Sequence, residues 1–272
     1  MRSLLPLLLL AGCAPTGHGA RGGGPTGGII SLNPCADQLL LALVPPRRIA
    51  AISWYSQKPG ASSIPLAVAR RFRATAGTAE EVIALAPDLV LASSFTPPAT
   101  RDAFALAGLR VTYLDAPQTI AGSVAQVRQV AAVVDARAGG DALAKRIEAA
   151  AALPGTDRPV PALLFIAGDL ATGRGTLLDE MMTRAGLRDA AADYGLRGTG
   201  TLPVETIIAR PPALILTTDG GGRTAALRRR VLRATGARTA QAPFPRALVN
   251  CGGPTIPAAL ARLRAIRQQV AR

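Results

Sequence analysis

Apolar residues in this chain gather in short, nearly unbroken runs at 29–32, 48–52, 89–92, 111–114, 162–166, 214–216 and 247–249. Runs of that length read as strands buried on both faces, the kind found in parallel sheets covered by helices. Between them lie stretches with helical spacing at 36–43, 101–107, 123–135, 141–152, 177–185 and 258–270. Strand and helix alternate, which predicts an α/β fold.

One stretch of this pattern occurs twice. Residues 80–91 read EEVIALAPDLVL and residues 205–216 read ETIIARPPALIL, which align without a gap as E-x-[VI]-I-A-x-x-P-x-L-[VI]-L. Internal self-similarity reports repeated structural units. Each copy starts as a helix, is stopped by proline, and continues as a buried strand. The chain therefore reads as two parallel-sheet α/β lobes, and the repeat favours two modest cores over one large one. Thr78 and Glu81 predict a capping box, which gives Glu81 a local task and leaves Glu80 without one. Pro203 suits a first helical turn, with Glu205 just inside it. On local grounds alone, Glu80 and Glu205 would each simply complement a helix dipole.

Composition changes this picture little. The formal charge is +14, yet only Lys58 and Lys145 are lysines and the arginines are scattered, so no nucleic-acid footprint is assigned. The dense run 228–230 reads as a solvated helix face. Aromatics make up 3% of the 272 residues, which leaves the core to Leu, Val, Ile and Ala.

The N-terminus is more specific. Arg2 precedes the apolar run 4–10, too short to span a bilayer, so residues 1–12 read as an export signal. Leu10-Ala11-Gly12-Cys13 resembles a bacterial lipobox, whose cysteine is acylated; an ordinary signal with a chance cysteine is the alternative. Residues 13–28 then form the lipidated cysteine and a flexible tether rich in Gly, Pro and Thr. Cys35 and Cys251 remain, one per lobe. In an oxidising compartment they can pair or stay as two thiols, and spacing does not decide between these. A zinc site on them is disfavoured, because the only histidine, His18, lies in the tether.

In open parallel sheets, ligands bind beyond the carboxyl ends of strands. That rule selects Asn33 and Cys35, Trp54 and Tyr55, Phe95, Asp219, and Asn250 and Cys251 as ligand-contact candidates, with Arg174 from the 167–175 loop. This last loop looks like a phosphate loop but lacks the Lys-[Ser/Thr] pair. Trp54 sits in a polar segment ending in Lys58-Pro59, which favours a loop over a core position.

Taken together, Ile30 to Pro34, Ile52 to Pro59, the two E…P-x-L-[VI]-L copies, Thr172 to Gly175 and Ala185 to Leu187 resemble the periplasmic substrate-binding proteins of importers for cobalamin, ferric siderophores and haem. The resemblance runs from residue 29 onward. It implies a class III binding-protein fold: an N-terminal lobe (29–136), one long connecting helix (137–155) and a C-terminal lobe (156–272), closing slightly on a ligand in the cleft. It implies no resident cofactor, a transported metal chelate (cobalamin or another corrinoid, or a ferric siderophore), and a monomer in the periplasm that touches the membrane only through its lipid. It also assigns Glu80 and Glu205 to docking on the two halves of an ABC permease dimer. Arg210 and Ala213 depart from the family signature, and the C-terminal lobe has no tryptophan. The absence of histidine beyond the tether argues against Ser-His or Cys-His catalysis and against a zinc or manganese binder. A haem binder, another small-molecule-binding lipoprotein, or a purely structural lipoprotein are the competing readings.

Overall fold

The computed structural model describes residues 27–153, 158–218, 222–236 and 238–270. The export signal, Cys13 and Asp219 lie outside the described residues.

The N-terminal lobe opens with β1 (Ile29–Ser31), α1 (Pro34–Leu43) and β2 (Ile49–Ser53), then a 3-10 turn at Trp54–Gln57. It continues through α2 (Leu66–Ala69), β3 (Ala74–Thr75), α3 (Ala79–Ala84), β4 (Leu89–Ser93), α4 (Pro98–Leu106) and β5 (Val111–Leu114). The strands form one sheet in the order β3-β2-β1-β4-β5, with every pairing parallel. Two helices, α5 (Ile120–Val133) and α6 (Arg137–Ala152), lead out of the lobe. They are separated at Asp135, which takes a left-handed conformation (φ 54°), while Ala136 N–H donates back to the Ala131 carbonyl at 2.8 Å. Gly140 therefore does not break the helix. It permits a close crossing, since a Cβ there would lie 2.2 Å from that of Ala131 on α5.

The C-terminal lobe comprises β6 (Val160–Ala167), β7 (Leu170–Ala171), α7 (Leu177–Arg184), β8 (Leu187–Asp189), β9 (Gly200–Thr201), α8 (Val204–Ile208), β10 (Leu214–Thr217), α9 (Gly222–Ala234), β11 (Ala240–Pro243) and α10 (Ile256–Val270). Its central pairings, β11-β10-β6 and β6-β8, are parallel. A short antiparallel extension, β7 and β9, is added beside β6. The expected strand at 247–249 is instead a 3-10 turn, Arg246–Leu248. The strand beside β10 is β11, whose AQAP sequence is half covered in alternation and so lacks the continuous apolar run of a central strand.

The sequence repeat becomes α3-β4 in one lobe and α8-β10 in the other. β4 lies beside β1, and β10 beside β6. Side chains alternate across a strand, and the faces match. Leu89 and Leu91, like Leu214 and Leu216, enter one large cluster, whereas Val90 and Ile215 enter smaller clusters on the far side of each sheet. The large cluster does not stop at the lobe boundary. It runs from Ile29 and Leu40 through Val127 and Val130 of α5 and Ile147 of α6 to Leu164, Met182 and Leu260. One core is thus shared where two separate ones were expected, because α5, α6 and α10 fill the space between the sheets. Arg228 corrects a second expectation. It is 2% exposed, lies over the Phe165 ring at 3.4 Å from its centroid, and pairs with Asp169 at 2.8 Å, so it is a buried residue on a helix otherwise rich in exposed arginine.

Candidate ligand-binding cleft

Each sheet delivers its strand ends to the gap between the lobes. A cavity of about 280 Å³ lies there, lined from one lobe by Asn33, Cys35, Ser93, Phe95 and Leu114 and from the other by Thr172, Thr176, Met181, Asn250 and Cys251. Asn33, Cys35, Phe95, Asn250 and Cys251 were selected from the sequence. Asn33 caps α1, its side-chain oxygen accepting from Cys35 N–H at 2.7 Å. Phe95 is 82% exposed at the cavity mouth. Asn250 donates from Nδ2 to the Gly60 carbonyl across the lobe boundary at 3.2 Å. Cys35 and Cys251 form a disulfide, with their Cα atoms 5.4 Å apart, which settles the alternative left open by the sequence.

Trp54 and Tyr55 do not line this cavity. They sit at the end of β2, about half-exposed, ring edge to ring face at 5.8 Å, with the Lys58 ammonium 4.7 Å from the Trp54 ring centre. Their turn is held from below by Asp37 in the first turn of α1, whose carboxylate accepts from Ser53 N–H at 3.3 Å and from the Ser56 hydroxyl at 2.5 Å. Burial pushes the Asp37 carboxyl up to about 7, against those hydrogen bonds, which favour the ionised form. Arg174 is exposed and lines a different depression with Arg197 and Gly198. Its loop is shaped by packing: a Cβ on Gly173 would lie 1.9 Å from the Gly198 carbonyl oxygen. That contact accounts for Gly173, while Gly168 and Gly175 take left-handed backbone at φ 48° and 80°.

Glu80 and Glu205 both occupy the second helical position, in α3 and α8, and both are exposed. The predicted capping box is only half made. Thr78 accepts from Glu81 N–H at 3.3 Å, but the Glu81 carboxylate accepts from Ala76 N–H at 2.8 Å, because the chain turns before the cap and brings that donor nearer.

Sequence reasoning missed Gln38, Gln126, Thr172 and Thr176, all of which line the cavity. Gln38 had a signal. It is a polar residue on the buried face of a leucine-rich helix, and a buried polar group is more informative than an exposed apolar one. Its Nε2 donates to the Gly252 carbonyl at 2.6 Å. Among the described residues no arginine or lysine lines the cavity; amides and hydroxyls recur around it, with one carboxylate, Asp115. Among the described residues no cluster of three or more metal-ligating side chains occurs, and no helix is long and apolar enough to cross a membrane.

Comparison with known proteins agrees with this architecture. The family model described as periplasmic binding protein matches residues 29–242. The chain belongs to the periplasmic binding protein family. It is a substrate-binding protein of the kind that serves ABC importers and not an enzyme, and its ligand is cargo, not a resident cofactor. No curated protein matches its sequence. Among solved structures, it resembles the periplasmic haem-binding protein RhuT from Roseiflexus sp. RS-1 in apo form, with a TM-score of 0.71 and 22% identity over 91% of this chain and 100% of that one. The haem-binding protein BhuT in complex with two haems aligns with a TM-score of 0.70 and 24% identity, covering 90% and 98%. The vitamin B12-binding protein BtuF of Vibrio cholerae gives 0.70 and 16%, covering 91% and 98%. At these identities the likeness establishes the fold.

Proposed function

We propose that this binding protein captures a metal-chelating macrocycle, a corrinoid such as cobalamin, and hands it to an ABC permease dimer. The observation that carries the reading is the lining of the cleft. Amides and hydroxyls, with Asp115 and without a lysine or arginine among the described residues, suit a large ligand that carries no net negative charge and bears amide side chains. An anionic ferric siderophore would leave its charge unpaired there, at a cost that burial raises. The cavity takes one edge of such a ligand, and Trp54, Tyr55 and Phe95 offer exposed ring faces for the rest. Haem is the second reading, favoured by the haem-binding proteins among the structural neighbours.

Asn33, Cys35, Phe95, Asn250 and Cys251 form the cavity contacts in this proposal, with Trp54 and Tyr55 at the rim. Arg174 and Asp219 are not assigned contacts. Glu80 and Glu205 dock the two lobes on the permease, where rim charges set orientation and encounter rate. Cys13 carries the lipid that holds the monomer at the membrane, and α6 marks the functional division between lobes.

Titration of the chain from Ala14 with cobalamin, haem and a ferric siderophore, followed by Trp54 fluorescence and melting temperature, tests the cargo. Saturable quenching and stabilisation by cobalamin alone is expected; the same response to haem alone transfers the assignment to haem. With importer in membranes, Glu80→Ala plus Glu205→Ala is expected to abolish uptake while cargo binding persists. Undiminished uptake would remove the docking role.

A further inference from the structure

The disulfide joins the two lobes. Cys35 lies in the first turn of α1, on the N-terminal sheet side, and Cys251 follows β11, the last strand of the C-terminal lobe, 216 residues later. Both line the cleft cavity, whereas the continuous chain passes between lobes through α5 and α6. The lobes therefore have a second covalent connection, placed in the cavity wall.

Neither end of this connection is slack. Cys35 is fixed by the Asn33 cap. On the other side, the Thr255 hydroxyl donates to the Cys251 carbonyl at 2.6 Å, and the next two residues are clamped against the N-terminal half of the molecule. Gln38 Nε2 reaches the Gly252 carbonyl at 2.6 Å, and Gly253 N–H reaches Ser123 Oγ on α5 at 2.8 Å. Packing is equally tight: a Cβ on Gly252 would lie 2.7 Å from Leu177 Cδ2 and 2.9 Å from Ser123 Oγ. A hydrogen bond can lengthen and break at modest cost, but a disulfide holds its Cα atoms within about 6.8 Å. From 5.4 Å, that leaves about 1.4 Å of travel.

We propose that the Cys35–Cys251 bridge is a covalent stop that fixes the width of the cleft and so determines which cargo enters and how fast it leaves. Cargo is exchanged through the open mouth at Phe95, Trp54 and Tyr55, without separation of the lobe floors. The stop itself is independent of which cargo the protein carries; only its effect on cargo kinetics rests on the corrinoid reading.

The test places spin labels, through non-cysteine chemistry, at exposed Asp102 on α4 and exposed Arg229 on α9. Distances are measured without cargo in the oxidised protein, in the same protein reduced with a phosphine, and in Cys35→Ser/Cys251→Ser. Reduction consumes one phosphine and one water, giving two thiols and the phosphine oxide. A single narrow distance is expected in the oxidised form, and a second population several ångströms longer in the other two. A fourth sample, in which the two reduced thiols each displace one bromide of dibromobimane, restores a covalent link with a longer tether and keeps the comparison meaningful if the serine variant folds poorly. It is expected to give an intermediate distribution. Cobalamin dissociation should accelerate by about tenfold or more when the bridge is open. Identical distance distributions in all four samples would overturn the proposal. Widening without cobalamin binding in any form upholds the stop and defeats the corrinoid reading.

Discussion

At the ends of β2 and β4 the N-terminal lobe holds out Trp54, Tyr55 and Phe95, all of them exposed to solvent. At the ends of β6 and β10 the C-terminal lobe turns its polar groups inward. Thr218 donates to the Ile166 carbonyl at 3.0 Å, and Asp169 pairs with buried Arg228. The strands leading to these ends match face for face, down to Leu89, Val90 and Leu91 against Leu214, Ile215 and Leu216. The contrast has a physical origin. A strand packed on both sides tolerates few changes in volume, whereas the loop beyond it is constrained only by what it binds. A twofold frame can thus carry a one-sided site, aromatic on one lobe and tightly self-paired on the other.

The sharpest way to break the comparison is to disconnect the lobes. Opening the Cys35–Cys251 bridge releases a loop of more than two hundred residues in the unfolded chain. On the chain-entropy argument it lowers stability by about 5 kcal/mol at most, to be read as a fall in urea midpoint on reduction. Next is the buried carboxyl of the N-terminal lobe. Asp37 titrates at about 7 in the folded protein against 3.8 for the free group, so the folded state binds the extra proton between those values. Stability is therefore greatest below about pH 4 on this account and declines as pH rises to 7, by on the order of 4 kcal/mol. Asp37→Asn should flatten that slope in urea titrations at pH 5 and pH 8. It should also keep the Trp54 turn in place, since the amide retains an acceptor for Ser53 N–H and supplies a donor to Ser56.

The C-terminal lobe offers the matching experiment. Burial raises Asp189 to about 6, with one oxygen accepting from Ala191 N–H at 2.8 Å and the other, Oδ2, without a partner. The sign is the same and the window shorter, from about pH 4 to pH 6, so Asp189→Asn should remove a smaller total change over the titration. The smallest effect belongs to the positions where the lobes are most alike. Glu80→Ala and Glu205→Ala should each change stability by less than about 1 kcal/mol in thermal melts, since both sit exposed at the second position of short helices.

Much of the frame was legible because the repeat fixes both the helix-to-strand step and the strand register. β5 was read to the residue from its apolar run. Less visible were the elements whose stability comes from neighbours: β3, β7 and β9 are each two residues long, and β11 alternates weakly. For the site, strand-end logic found Asn33, Cys35, Phe95, Asn250 and Cys251 at the cavity. Arg174 lies apart from that cavity, because the 167–175 loop folds back through β7 and faces Gly198. Gln38 and Thr176 escaped because each lies within a helix or at its cap, where no rule about strand ends applies.

The crossing of α5 and α6 at Gly140 and Ala131 has a consequence for how this protein can be divided. A sequence that repeats itself invites the idea of two interchangeable modules, each expressible alone or exchangeable with a relative's. The helices that meet there are lined by Val127, Val130, Leu143 and Ile147, all of which lie in the core common to both halves. Cutting the chain at this point would strand an oily seam on each fragment, so the repeat written in the sequence does not mark a place where the core divides.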